Sequence, residues 1–458
     1  MRIPRTPPKL SDIQSLGIEK VIRITSVARD AMYKGRYVHW DKLRHLPKPA
    51  EMADLTHEEW WFSLKHIRRS LMRPLSLKDK VGKPFQLAMP DPIPERLHKL
   101  DMGIGGSQLS GPSLEHEVTP SLSSMRDHYI VRSLTEEAIT SSQLEGAATT
   151  RVVAKQMLRS GRSPRDNSER MIFNNYRVME EIRERKNDPL TPELIFELHR
   201  ILTRDTLDNL GGADAVGRLR SSEEKIQVVD IEGEILHTPP DAETLGERMA
   251  LMCDFANNKN SSQFIHPVIR AIVLHFWLAY DHPFVDGNGR CARALFYWSM
   301  LNSGYFLCEF LSISHIIKQA KVKYGRAFLY CETDENDLTY FVLYHLDVLQ
   351  RAVEELHQYI DRKTQENRQV EQLIRLSANF NLRQRTLLGH ALRHPDALYT
   401  IAEHQASHNV TYQTARTDLQ SLTRLGLLTE SKRGREFFFR PVADLRVRLQ
   451  GGGEGVTG

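Results

Sequence analysis

Cysteine is scarce in this chain. Four occur in 458 residues (Cys253, Cys291, Cys308 and Cys331), no two at C-x-x-C spacing, which excludes a disulfide scaffold and Cys-rich zinc modules. A long hydrophobic run is missing too. The most apolar stretch, Ala271 to Tyr280, is interrupted by His275 and is too short to span a bilayer. The opening residues, MRIPRTPPKL, lack the apolar core of a secretory leader. Neither sign of charge dominates: 62 Lys+Arg against 58 Asp+Glu leave +4, which neither demands nor excludes nucleic acid. No repeat recurs at solenoid periods. With 40% hydrophobic and 26% charged residues, the composition is that of a globular protein, not a disordered or fibrous one. The length suits about three domains. These absences lead us to expect a reduced, cytoplasmic protein.

Residues 1–122 read as an N-terminal helical extension and linker. Trp40, Trp60 and Trp61 mark a small packed region around HEEWWFSLKHIRRSLMRP, and the Gly/Ser/Pro-punctuated stretch 101–122 ends it. From about 125 the pattern is helical, with apolar residues three and four apart in 124–146, 168–186, 191–207 and 241–258. Asn167–Ser168 and Thr191–Pro192 supply helix starts. The alternating, β-branched segment EEKIQVVDIEGEILHTPP (223–240) predicts a β-hairpin around Glu232–Gly233.

One short stretch concentrates the chemistry: His282-Pro283-Phe284-Val285-Asp286-Gly287-Asn288-Gly289-Arg290-Cys291-Ala292-Arg293. It joins two helical patterns, so it predicts a tight polar loop whose end opens a helix. Backbone N–H groups at such a point form an anion site. Gly287 and Gly289 let the backbone approach a phosphate. Arg290 and Arg293 stand three apart, so their spacing predicts a shared face and a double guanidinium clamp. Asp286 offers a hard oxygen ligand for Mg²⁺, and His282 an imidazole able to act as a base. An EF-hand fails here, because placing Gly289 at its invariant glycine puts Phe284 and Leu295 at ligand positions. A dinucleotide fingerprint fails because a helix, not a strand, precedes GNGRCA. A plain helix–helix turn explains the glycines but not the His, Asp and two Arg around them.

This stretch resembles the complete signature of the Fic (filamentation-induced-by-cAMP) family, HPFx[DE]GNGRxxR. Gly217–Leu219–Arg220 resembles the family's GxxR, residues 223–240 its target-holding flap, and about 125–345 its helical core. The resemblance implies a mainly α fold class: a Fic-type helical core with a β-hairpin flap, here followed by a C-terminal winged helix. It implies a protein adenylyltransferase that moves AMP from ATP to a Ser, Thr or Tyr hydroxyl of a protein target not identified by sequence. His282 would be the general base and Asp286 would hold Mg²⁺. Gly287, Asn288 and Gly289 would form the anion hole, and Arg290 and Arg293 would bind the β/γ-phosphates. Phe284 would anchor the loop. A phosphate-transferring branch carries Lys where this chain has Gly289, which argues against kinase chemistry.

Upstream, Ser141-Ser142-Gln143-Leu144-Glu145-Gly146 resembles the family's inhibitory motif, [ST]xxxE[GN]. Ser141 and Glu145 share a helix face at four-residue spacing, and Gly146 ends the helix. Glu145 is expected to pair with Arg293 and take the place of the ATP γ-phosphate. The same glutamate serves in some relatives to orient water for AMP removal, so a de-AMPylating phosphodiesterase is an alternative activity. Another is a DNA-binding regulator whose Fic domain senses nucleotide.

Residues 123–365 are expected to form the Fic domain with its inhibitory helix, 366–445 the winged helix, and 446–458 a flexible tail. Segments 383–394, 398–409 and 411–428 read as three helices, followed by a Gly-centred basic hairpin, TESKRGREFFFRP. Thr411, Gln413, Arg416, Thr417, Gln420 and Arg424, with Lys432, Arg433 and Arg435 of the wing, can touch phosphates or base edges. The helix also contains Asp418, and its positive charge is not dense. Winged helices also dock proteins or dimerise, so duplex DNA and a second copy of the chain are both open as partners. His237 in HTPP could ligate a metal, but a histidine there is more often one of a flap or loop. Absence of HExxH spacing around His275 and His282 argues against zinc there.

Overall fold

A computed structural model describes residues 1–9, 17–27, 30–104, 133–207, 212–230, 232–259, 263–376, 380–433 and 436–451. Most of the expected boundary loop 101–122, the start of the helical pattern at 124, Arg435, and 452–458 of the expected tail therefore lie outside the described residues. The chain divides into two compact units, Met1–Leu356 and His357–Gly458.

In the first unit, helices Ile18–Val27, Trp40–Leu43 and His57–Leu71 bury the N-terminal tryptophans in a core with Ile24, Leu43 and Leu64. Thr56 and Glu59 form a capping box that starts His57–Leu71. A hairpin follows that the sequence reading did not foresee. Met72–Lys78 pairs antiparallel with Pro84–Ala88, with Arg73 opposite Leu87. Pro74 hides this strand from a pattern reading, since proline donates no ladder hydrogen bond. Gln86 also bonds the backbone at Asn336 and Leu338, 2.9 and 2.8 Å, so the hairpin is tied to the helical body.

The body contains helices 133–144, Arg151–Ser160, Asn167–Glu184, Pro192–Thr203, Leu245–Ala256, Pro267–Asp281, Asn288–Asn302, Ile313–Gln319 and Lys321–Thr333. Thr191 caps the helix with Pro192 at its first turn, as expected. The cap before Glu169 is Asp166, just upstream of the Asn167–Ser168 pair the sequence suggested. Pro267–Asp281 and Asn288–Asn302 are apolar on nearly every face and form the centre of the core, with Ile272, Phe276, Leu295 and Phe296 fully buried. Short strands Val228–Val229 and Ile235–His237 pair antiparallel, which places the expected hairpin within 223–240.

Helix Thr339–Leu376 runs across the division between the units. The second unit holds helices Leu382–Arg393, Ile401–His408 and Tyr412–Arg424 over a core of Leu387, Leu388, Ile401, Leu419, Leu422 and Phe439. Leu428–Arg433 pairs with Glu436–Pro441, which also pairs with a short strand, Tyr399–Thr400, that the sequence reading had merged into a helix. Asp418 turns inward, accepting from Asn381 (2.7 Å) and Arg383 (2.7 Å) and facing His404 (3.3 Å). It therefore does not interrupt an exposed polar face.

Candidate active site

The sharp turn after Pro267–Asp281 begins at His282 itself, which takes a left-handed backbone conformation (φ 46°) and ends that helix. Its Nδ1 lies 3.0 Å from the Ala279 carbonyl. A carbonyl only accepts, so Nδ1 carries the proton and the lone pair is on Nε2. Burial is the largest influence on this half-buried ring and pushes its pKa below the ordinary histidine value. The ring is thus neutral and poised to accept a proton.

Phe284 is fully buried and stacks on His199 with ring centres 3.8 Å apart. Asn288 brackets Phe284, accepting from its N–H (2.9 Å) and donating to its carbonyl (2.8 Å). Gly287 has φ 81° and precedes Asn288–Asn302 without a side-chain cap. The first intrahelical bond there runs from Cys291 N–H to Gly287 O, 2.9 Å. The N–H groups of 288–290 therefore stand at an uncapped helix start, where the dipole favours an anion.

A carboxylate already lies there. Glu145 Oε1 sits where a Cβ on Gly289 would lie 2.1 Å away, so only glycine accommodates it. The same oxygen accepts from Arg293 Nη2 at 2.8 Å. Arg293 also donates to Ser141, through Nε to Oγ (2.8 Å) and Nη2 to the carbonyl (3.0 Å). Burial raises the Glu145 pKa, but the Arg293 guanidinium outweighs it and leaves the group below the usual carboxylate value. Arg293, 2% exposed, is thus engaged by Ser141 and Glu145 at the end of one upstream helix, with Tyr324 also bonded to it.

That helix is anchored independently of the arginine. Glu137, buried, accepts from Tyr297 (3.0 Å), Ser312 (2.9 Å) and the Ser314 N–H (3.0 Å), and also from the Ser314 hydroxyl. Lys321 Nζ donates to the Leu144 carbonyl at 2.9 Å, capping the helix where Glu145 begins to turn away.

Arg290 departs from the clamp that the spacing predicts. Its guanidinium, fully buried, donates to the Leu202 carbonyl and to Asp286 Oδ2, both at 3.1 Å. Its partners belong to the protein, so it braces the loop from beneath, and Arg293 faces the nest alone. Asp286 keeps 38% of its side chain exposed. Among the described residues no three His, Cys, Asp or Glu gather as a metal cage. A single open carboxylate fits Mg²⁺, which takes its remaining oxygens from phosphates and water.

Two further residues support the loop: His199, which escaped the sequence reading, and Arg220 of the GxxR turn. His199 accepts from Gly217 N–H at Nδ1 (3.0 Å) and donates from Nε2 to the Asp286 carbonyl (2.9 Å). It links the GxxR turn to the loop, and burial lowers its pKa to about 4. Its only signal was a lone histidine on an otherwise apolar helix face. Arg220 donates from Nε to His282 O (2.9 Å) and also bonds Pro240 O, while its N–H bonds Pro283 O (2.8 Å). It staples the loop to the end of the flap.

The profile of the Fic/DOC family matches residues 189–300. The protein adenylyltransferase fic-1 of Caenorhabditis elegans is 29% identical over 189 residues, 40% of this chain and 33% of that protein. The protein adenylyltransferase Fic of Nematostella vectensis is 34% identical over 122 residues, 26% of this chain and 25% of that one. The chain thus spans a third or less of the length of these relatives. A Fic family protein from Desulfovibrio desulfuricans G20 shares the fold, with a TM-score of 0.53 at 18% identity over 78% of this chain and 97% of that one. A histidine-ended helix and an uncapped loop helix both fall inside the matched segment: residues 189–300 of this chain match the Fic/DOC family.

Proposed function

We propose that this chain transfers AMP from ATP to a hydroxyl of a protein target, and that Glu145 restrains it. The observation that carries the reading is His282, whose Nδ1–H is spent on Ala279 and whose Nε2 stays free beside a nest of unpaired backbone N–H groups. The target oxygen attacks the α-phosphorus as Nε2 takes its proton. The bond to the bridging oxygen of the β-phosphate breaks, and pyrophosphate leaves. Magnesium held by Asp286 would neutralise charge on that leaving group. The helix N-terminus at 288–290 and Arg293 would bind the phosphates once Glu145 withdraws. Arg290 would hold Asp286 in place. The test is mass spectrometry of a target mixture, or of the chain itself, after incubation with Mg²⁺ and ATP. An AMP adduct on a hydroxyl is expected, and none with His282→Ala. Release of AMP from pre-modified protein by the same chain would point to the phosphodiesterase alternative.

The second unit supports a winged helix with duplex DNA as its partner. Residues 357–458 hold fifteen Lys and Arg against ten Asp and Glu, while the rest of the chain is close to neutral. Arg416 and Lys432 both lie over the Phe437 ring, at 5.9 and 5.2 Å, joining helix and wing. Gln413, Thr417 and Arg424 are exposed, while Thr411 caps the helix. The full chain should bind duplex DNA with affinity falling steeply as salt rises. Arg424→Glu with Lys432→Glu should abolish it, and unchanged binding would refute this partner.

A further inference from the structure

His237 ends the flap hairpin, and the transfer chemistry above does not use it. Its ring is 9% exposed, with Nε2 2.7 Å from the Tyr280 carbonyl oxygen and Nδ1 2.7 Å from Glu332 Oε2. A carbonyl and a carboxylate accept and never donate. The ring makes both bonds only with a proton on each nitrogen. Tyr280 lies in the last turn of Pro267–Asp281, where the Leu278 and Ala279 carbonyls are taken by His282. The Tyr280 carbonyl is one of the orphan acceptors of that helix end, where the dipole attracts a cation. Glu332, from Lys321–Thr333, adds a full negative charge. The other groups facing the ring are the Tyr280 phenol, its ring centre 4.7 Å away, and Asp281, which is paired with Arg248. His282 and Arg220 face it from the loop side.

We infer that His237 is a positioning residue, an imidazolium clasp that fixes the flap against the end of the helix that delivers His282. The inference rests on the transfer reading and deepens it. An acceptor segment laid on the flap meets Nε2 in line only if the flap keeps its register with the catalytic helix. His237 and Arg220 hold that register from two sides, one at Tyr280 and one at His282.

The test uses the full chain. Nitrogen NMR on ¹⁵N-histidine protein at pH 7 should show both ring nitrogens of His237 protonated. His237→Gln should speed amide exchange at Val229 and 235–237 about tenfold, the scale of one bond to a charged group, with Asn288–Asn302 unchanged. His237→Lys, which restores the cation, should recover part of that protection. In the Glu145→Gly background, His237→Gln should slow maximal AMP incorporation about tenfold while leaving KM for ATP within about twofold. A neutral His237 ring, or flap exchange unmoved by His237→Gln, overturns the clasp. If Glu145→Gly itself incorporates nothing while ring and exchange behave as stated, the transfer reading falls and the clasp survives. If it incorporates AMP and His237→Gln does so equally fast, the positioning role falls alone.

Discussion

Replacing Glu145 by glycine removes one carboxylate from one guanidinium and clears the space above Gly289. The Glu145–Arg293 bond, 2.8 Å, is charge-assisted, and Arg293 is 2% exposed. Glu145 keeps 32% of its side-chain surface, so water already tempers the interaction. A hydrogen bond to a charged group contributes about 2–3 kcal/mol in such a setting. At 1.4 kcal/mol per decade that predicts roughly 30- to 150-fold more productive ATP occupancy. The assay is incorporation from Mg·ATP into the chain itself, read at ATP concentrations well below saturation. Glu145→Gln separates charge from bulk: it keeps the steric block over Gly289 but loses the ion pair, and should fall between wild type and glycine. Gly289→Ala tests the geometry from the other side. Its Cβ would meet Glu145 Oε1 at 2.1 Å, so it should dislodge the carboxylate yet also obstruct a phosphate, leaving little activity. If Glu145→Gly incorporates no faster than wild type, the carboxylate is not a brake.

Further outcomes follow from the same geometry. His282→Ala should lose incorporation while the Kd for ATP stays within about twofold, since the imidazole contacts no phosphate in this reading. Burial depresses the His282 pKa; the base is the neutral form, so the acid limb of the Glu145→Gly rate profile should lie below the ordinary histidine range. Arg293→Ala should weaken ATP binding and also free Glu145. Arg290→Ala should instead lower the melting temperature, because it strips a fully buried brace from Leu202 and Asp286. His199 is held neutral, its folded pKa lowered to about 4. Its contribution to stability is therefore complete above its unfolded value near 6.5 and is lost as the pH falls from there to 4. That window should cost about 3 kcal/mol in denaturant titrations at stepped pH, and His199→Gln should flatten part of the slope.

The loop from His282 to Arg293 was legible because its chemistry is contiguous: glycines, acid and base stand within twelve positions, and their spacing alone implies a helix-start anion site. The contact of Glu145 and Ser141 with Arg293 was legible for a related reason, a glutamate and a serine one helical turn apart, although Arg293 lies 152 positions from Ser141 and only the resemblance named it as partner. His199 was not legible. Its two partners, Gly217 and Asp286, lie 18 and 87 positions away, and nothing local distinguishes it from a core histidine. Glu137 hid the same way, among the acids of a helix that looked merely amphipathic. Spacing also misjudged Arg290. Three residues apart does place two side chains near one face, but Leu202 and Asp286 draw one guanidinium under the loop. The hairpin at Met72–Ala88 escaped because Pro74 breaks the alternation that marks a strand, and because its pairing is completed by Asn336 and Leu338, far along the chain.

The most direct measurement of the central claim compares ATP labelled at the α-phosphorus with ATP labelled at the γ-phosphorus, using Glu145→Gly with and without His282→Ala. The geometry predicts label from the α position only, and only while His282 is present. Label carried from the γ position, or α label that persists without His282, would contradict it.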